Sequence, residues 1–385
     1  MPPQHAEHPV TPLELFFDLV FVFAFTQVST LMSHDLTWAG VGRGMLVLAA
    51  LWSVWTSYAW LTNTVNPDEG VVQVSVLVAM AAMFVAALAV PSAFGQHGVV
   101  FGVAFMIVRV MHIALYTLAG RGDPDLLRAV SRFAPTVLLA GSLIIAAGFV
   151  DGTVKPVLWL GALAIDYFAP LLSGSTGWRV EPAHFVERHA LIIIIALGES
   201  LIALGVGATG AGLDAGVITA AVLGLVVATA FWLAYFDFFT IRAQRLLVER
   251  SGPQRVALAR DVFSYLHLPM VIGIELFALG LEKTIAHVGD ELATIPAFGL
   301  CIGSALFISS FTGIRLRTSG TLSSGRTVTA IAFVLLLPVA VNVPAIVALT
   351  LVTGVWLALH AYELIWWREA RAEARASRSP APASP

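Results

Sequence analysis

The sequence predicts an all-α integral membrane protein with about 12 transmembrane helices. Three observations predict it: the composition, the spacing of apolar windows and the placement of basic residues. Of 385 residues, 58% are hydrophobic and only 12% charged, with a mean hydropathy of +0.87. Soluble domains carry about 25% charged residues, so too little polar surface is available here to cover a water-exposed fold. Low-complexity disorder is excluded by the same apolar content. A net charge of −3 offers no basic footprint, so no nucleic-acid partner is expected. The lipid bilayer is the expected partner. The single cysteine, Cys301, lies in an apolar run and reads as a packing residue.

A spanning helix needs about 20 mostly apolar residues to cross a ~30 Å hydrocarbon core. Windows of that kind fall at 13–32, 40–62, 71–90, 99–118, 133–150, 155–173, 189–207, 216–239, 262–282, 294–314, 327–342 and 344–366. The eleventh is short, with Pro338, Asn342 and Pro344 predicting a tight turn into the twelfth. The alternating ten-residue strands of a membrane barrel are not seen in the pattern. The first 12 residues lack Lys and Arg and lead into Glu14 and Asp18, which is unlike a signal peptide.

Basic residues test the count, because Lys and Arg favour cytoplasmic loops. Of 21, Arg109 falls inside a span, and 17 of the other 20 follow even-numbered spans or lie in the tail. Only Arg43, Lys155 and Lys283 follow odd-numbered spans. This partition predicts twelve spans with both termini in the cytoplasm. Residues 367–385 read as a polar cytoplasmic tail.

Internal correspondences suggest two parallel six-helix repeats, residues 1–173 and 174–366. Glu14 and Glu187 open the first and seventh spans, and Trp55-x-x-Tyr58 recurs as Trp232-x-x-Tyr235. An even number of spans per half makes the repeats parallel rather than inverted.

The first span, PLELFFDLVFVFAFTQVS (12–29), resembles the opening signature of the bacterial low temperature requirement A family. HFVERHALIIIIALGESLIALG (184–205) is similar to that family's second hallmark, and the Trp/Tyr-rich second span with Asn63 and SYLHLPMVIGIE (264–275) also fit. The resemblance implies a multi-spanning bacterial inner-membrane protein and leaves its chemistry open.

Ionisable residues inside spans are the candidate functional groups, since a charge at mid-bilayer costs at least ~2.5–3.5 kcal/mol unless it finds a partner or cavity. Asp18 shares a helix face with Glu14 at i, i+4, giving either a cation or proton site or a pair that caps and orients the helix start. Arg109 stays charged and requires an acid from another helix. Asp166 and Glu199 are the candidates by depth, Asp18 a more distant one. His112 shares Arg109's face. Glu199 follows four isoleucines near mid-span, beside small Gly198 and Ser200, and reads as a protonatable carboxyl or cation ligand. The ninth span adds His267 and Glu275. Trp52, Trp55, Tyr58 and Trp60 read as an interfacial belt, with a cavity wall the alternative.

Other signals fail on spacing. His184-x-x-Glu187-x-His189 does not place two histidines on one helical face, so no metal site is expected. The glycine run 205–216 lacks the Lys-Ser or Lys-Thr of a phosphate loop, so no cofactor is implied. The carboxylate excess among Asp18, Arg109, Asp166, Glu199, His267 and Glu275 favours proton- or cation-coupled handling of a small solute. The alternatives are a non-transporting, lipid-interacting scaffold in stress or cold adaptation, and an intramembrane enzyme using Glu199 or His267.

The parity of basic residues makes a direct prediction. A cysteine introduced at Ser251 should resist an impermeant thiol reagent applied to intact cells and react once the membrane is opened. Labelling from outside would reverse the topology.

Overall fold

The computed structural model describes residues 9–209, 211–237 and 239–366. Fourteen α-helices form it: α1 (Pro12–His34), α2 (Trp38–Thr62), α3 (Gly70–Ala89), α4 (Gly98–Ala119), α5 (Pro124–Gly148), α6 (Val154–Leu172), α7 (Pro182–Ala208), α8 (Ala215–Phe236), α9 (Phe239–Val248), α10 (Gly252–Ala259), α11 (Leu268–Ala286), α12 (Thr294–Ser319), α13 (Ser324–Ala340) and α14 (Ala345–Trp366). No strand occurs among the described residues, only one isolated bridge between Glu291 and Pro344. Among the described residues, eleven segments are long and apolar enough to span a bilayer. The twelfth, α13, has 17 residues and contains Pro338. The all-α, about twelve-span prediction is therefore met, with the short window where the sequence put it. The polar tail, residues 367–385, lies outside the described residues.

Helix starts follow local chemistry. Thr11 and Glu14 form a capping box on α1, the Thr11 hydroxyl accepting from Glu14 N at 3.3 Å and Glu14 Oε2 accepting from Thr11 N at 2.9 Å. Thr37, Asp123 and Asp214 cap α2, α5 and α8 through side-chain oxygens.

The stretch expected as a basic loop, 240–261, is largely helical. Helices α9 and α10 occupy most of it, and α10 continues through a wider turn at 260–265 into α11. In that turn Leu266 N donates to Asp261 O five residues back, at 3.1 Å. A segment-wide average of polarity hid this helix, because Arg242, Arg245, Arg255 and Arg260 outweigh its apolar face. The buried side of α10 is Val256, Leu258 and Ala259.

By backbone contacts the chain forms two compact units, 1–199 with 247–268, and 200–246 with 269–385. These contact units are not the sequence halves divided at 173/174, since a packing unit and a duplicated half are different things.

In the first unit α4 packs on α3 and α5, α5 on α6, and α2 on α1, α4 and α6. Within lipid no hydrophobic force drives helices together, so close backbone approach matters. A Cβ on Gly102 would lie 2.8 Å from Ile145 Cα, so α4 and α5 meet almost backbone to backbone. Helix α2 is the most enclosed: Trp52, Trp55 and Tyr58 are fully buried. This corrects the interfacial-belt reading for these three. Their rings stack inside the unit, Trp52 on Trp55 at 5.1 Å and Phe17 on Tyr58 at 4.9 Å. The apolar side chains of α3, α5 and α6 that stay exposed, such as Val71, Leu139 and Phe168, form the lipid-facing side.

In the second unit α12 packs on α13 and α14, and α14 on α8 and α13. Helices α11 and α12 cross through paired glycines. A Cβ on Gly273 would sit 2.5 Å from Gly303 O, and one on Gly280 2.6 Å from Pro296 O. Phe231, Phe277, Phe307 and Trp356 fill the space alongside.

That crossing is testable. Gly273→Leu must separate two backbones and should lower the apparent melting temperature of detergent-purified protein, overpacking costing ~1–3 kcal/mol or more. Leucine at half-buried Gly198, where a Cβ meets no atom within 4 Å, should change it little. Equal effects at the two sites would refute the close crossing.

Candidate functional site

The first unit holds two groups of buried ionisable residues. Helix α1 puts Glu14 and Asp18 on one face, and α7 answers with His184 and Arg188 at the same i, i+4 spacing. Arg188 donates to Asp18 through both terminal nitrogens, at 2.8 and 3.0 Å, and its Nε lies 3.5 Å from Glu14 Oε1. Trp55 Nε1 donates to Asp18 Oδ1 at 2.9 Å, and its ring lies 5.8 Å from the guanidinium carbon. His184 Nε2 is 3.1 Å from Glu14 Oε2, while Asn63 Nδ2 is 3.1 Å from His184 Nδ1. An amide nitrogen only donates, so Nδ1 accepts and Nε2–H donates to the carboxylate. Glu14 thus both caps α1 and holds α7.

Arg188 is a correction to the sequence reading. It was counted among the basic residues of a loop, yet it lies within α7 and has no exposed surface. The available signal was its spacing: His184 and Arg188 repeat the i, i+4 interval of Glu14 and Asp18.

Beside this group, His189 Nδ1 donates to Phe185 O and His267 Nδ1 to Val262 O, both at 2.8 Å, and the two rings stand 5.5 Å apart. Glu199 is buried in α7 and accepts from the Thr26 hydroxyl at 2.8 Å. Glu275 is fully buried in α11 of the second unit.

The second group surrounds a cavity of about 120 Å³ that opens at one end. Arg109 from α4 donates to Asp166 of α6, to the Ser57 hydroxyl of α2 at 2.6 Å and to Ser53 O at 3.3 Å. Asp166 is thus the cross-helix acid that a mid-span arginine requires. Phe105 and Phe133 flank the guanidinium at 5.9 and 6.0 Å. One turn along α4, His112 packs between Tyr58 and Tyr116, with ring centroids 5.7 and 5.0 Å away. Trp60, Trp178 and Tyr265 complete the wall, and Ser173, Gly174 and Ser175 border it after α6. Arg260 also lines the cavity and is paired with Asp261 at 2.8 Å.

Hydrogen-bonding capacity remains at this wall. Arg109 Nε and Asp166 Oδ2 are buried and have no hydrogen-bond partner among the described residues, while the His112 ring lies against the Ser57 backbone and the Tyr116 hydroxyl against Thr64. Buried polar groups normally find partners, so two unfilled positions on one ion pair beside a cavity leave hydrogen-bonding capacity there.

Of the six sequence candidates, Arg109 and Asp166 are brought together at the cavity. Asp18 joins Arg188, Glu199 and His267 lie elsewhere in the first unit, and Glu275 belongs to the second. His112, Tyr116, Ser57 and Trp178 complete the cavity. His112 was legible from its i, i+3 spacing to Arg109; Trp178 stands in a loop and had no periodic signal.

The family described as Bacterial low temperature requirement A protein (LtrA) matches residues 9–361. Uncharacterized protein RA0937 of Rhizobium meliloti (strain 1021) is 31% identical over 285 residues, covering 71% of this chain and 69% of that protein. No solved structure matches the chain.

Removing one member of a buried pair strands the other charge, at a cost of ~3–5 kcal/mol. Arg109→Ala should therefore sharply reduce the yield of monodisperse protein on size exclusion. Arg109→Met combined with Asp166→Asn should recover part of it. A double variant no better than the single one would show that the pair does not act as a unit.

Proposed function

The chain belongs to the bacterial low temperature requirement A family, and from that premise we propose that it is a multi-pass inner-membrane transporter moving a small solute with a proton or cation. The carrying observation is the cavity at Arg109 and Asp166, whose buried polar atoms keep unused hydrogen-bonding capacity inside an apolar helix bundle. Solute sites in transporters lie between spanning helices at such depths, often where ionisable groups are held by cross-helix partners. In this reading both termini face the cytoplasm, as the distribution of basic residues suggests. Asp166 and Glu199 are the carboxyls assigned to coupling, with Asp18, His267 and Glu275 as supporting ionisable groups. The parallel six-helix duplication, with halves 1–173 and 174–366, belongs to the same proposal.

One observation favours a second reading, a lipid-interacting scaffold in stress or cold adaptation. Glu14, Asp18, His184 and Arg188 hold one another closely, and none of them lines the cavity. A protein whose ionisable residues all served packing would look like that cluster throughout. The cavity at Arg109 does not.

Glu199→Gln separates the readings, because it keeps shape and the Thr26 hydrogen bond while removing titration. Proteoliposomes carrying an imposed pH gradient and an internal pH dye would be challenged with a small-molecule extract of the host bacterium. Wild type should dissipate the gradient faster than protein-free vesicles, and Glu199→Gln should fall at least tenfold while eluting normally on size exclusion. Wild-type-like flux would remove Glu199 from the coupling role, and no flux from wild type would favour the scaffold.

A further inference from the structure

We infer that the cavity at Arg109 and Asp166 takes an uncharged, flat, aromatic or otherwise apolar small molecule whose single polar head both donates and accepts hydrogen bonds. The inference rests on the proposed transport reading only for calling that molecule a transported solute; binding itself does not require it.

The argument begins with charge. Arg109 and Asp166 neutralise each other, and Arg260, farther along the wall, is neutralised by Asp261. An anionic head would bring a second negative charge beside Asp166, and a cationic head a second positive charge beside Arg109. Either leaves one charge without a counter-charge in a poorly solvated place, which is strongly unfavourable. A neutral head adds no such charge.

The unused atoms then define the head. Arg109 Nε is a donor and Asp166 Oδ2 an acceptor, so the unfilled pair offers one of each kind. A head that only donates or only accepts would leave part of this set unmet. A primary amide, a neutral carboxylic acid or a heteroaromatic N–H beside an acceptor meets both kinds.

The wall defines the body. Trp178 stands edge to face with both Tyr116 and Phe133, centroids 5.1 and 6.0 Å away, and Trp60 and Tyr265 line the space as well. Flat rings pack well in such a slot. At about 120 Å³ the cavity is somewhat smaller than the ~150 Å³ apolar cavity known to hold benzene, which limits the body to one ring at most.

Three probes of nearly one shape isolate the head's charge: benzamide is neutral, benzoate an anion and benzamidinium a cation at pH 7. Each would be titrated into the purified full chain in detergent, with intrinsic tryptophan fluorescence and thermal shift as readouts. Benzamide should bind at least tenfold more tightly than either ion. His112→Phe replaces the polar ring that lines the cavity one turn from Arg109, and should weaken the benzamide response at least threefold in protein that still folds. Should His112→Phe fail to fold, Tyr116→Phe gives the same test with loss of one hydroxyl and at least a threefold weakening. Equal or tighter binding of benzoate or benzamidinium, no binding of any probe, or a benzamide response untouched by the folded variants would overturn the inference. Benzamide binding by a protein that dissipates no gradient would uphold this ligand class and sink the transport reading. Transport accompanied by a preference for a charged probe would do the reverse.

Discussion

An arginine cannot give up its proton among apolar helices, so every buried guanidinium must be met by acceptors from elsewhere in the chain. The first unit contains two, Arg109 and Arg188, both with essentially no exposed surface. Each ties together helices far apart in sequence: Arg188 binds Asp18 across 170 positions, and Arg109 binds Asp166 and Ser57 across more than 50. Apolar side chains facing lipid do not choose a helix's rotation, because one greasy face is as good as another. A guanidinium does choose, since its donors point in fixed directions and each unfilled donor is expensive. The packing of α1, α2, α4, α6 and α7 is therefore specified by these two residues more than by any single apolar contact.

The two arginines are nevertheless satisfied to different degrees. Arg188 faces two carboxylates, lies near the Trp55 ring and shares its acids with Trp55 Nε1 and His184. Arg109 faces one carboxylate and oxygens from Ser53 and Ser57. Both groups keep buried polar atoms outside hydrogen-bond geometry, Arg109 Nε and Asp166 Oδ2 in one, Arg188 Nε and Glu14 Oε1 in the other. What separates them is the surroundings: Arg109 and Asp166 line a cavity and the Arg188 group does not, which is the ground for proposing recognition at Arg109 and an architectural role for Arg188.

Much of this was readable from the residues, and the failures have physical causes. Windows of twenty apolar residues mark spans because bilayer thickness imposes a length, and α13 is short where its prolines and Asn342 indicated. The need of Arg109 for a cross-helix acid followed from its fixed charge, and Asp166 was one of two acids at the right depth. Arg188 was misplaced because counting basic residues by loop assumes that a charge near a span end is solvated; its burial depends on Glu14 and Asp18, which lie 170 or more positions away. Residues 252–261 were taken as loop because five arginines in the surrounding stretch mask a helical face only three residues wide. Trp52 and Trp55 were assigned to the interface because their type is common there, and only packing distinguishes a belt from a core.

Helix α2 links the two clusters. Trp55 presents its indole N–H to Asp18, while Ser53 and Ser57, two residues to either side, meet Arg109. Two residues along an α-helix turn the side chain through about 200°, so Trp55 and the serines point to opposite sides of the same helix. Trp60, three residues past Ser57, returns to the serine side and lines the cavity. The rotation of α2 about its axis is thus fixed twice, once by a carboxylate on α1 and once by a guanidinium on α4. Neither bond can be kept if α2 turns to improve the other, so the Asp18 cluster sets the angle at which Ser53 and Ser57 reach Arg109. The cavity wall is in this way held in place by residues that do not line it.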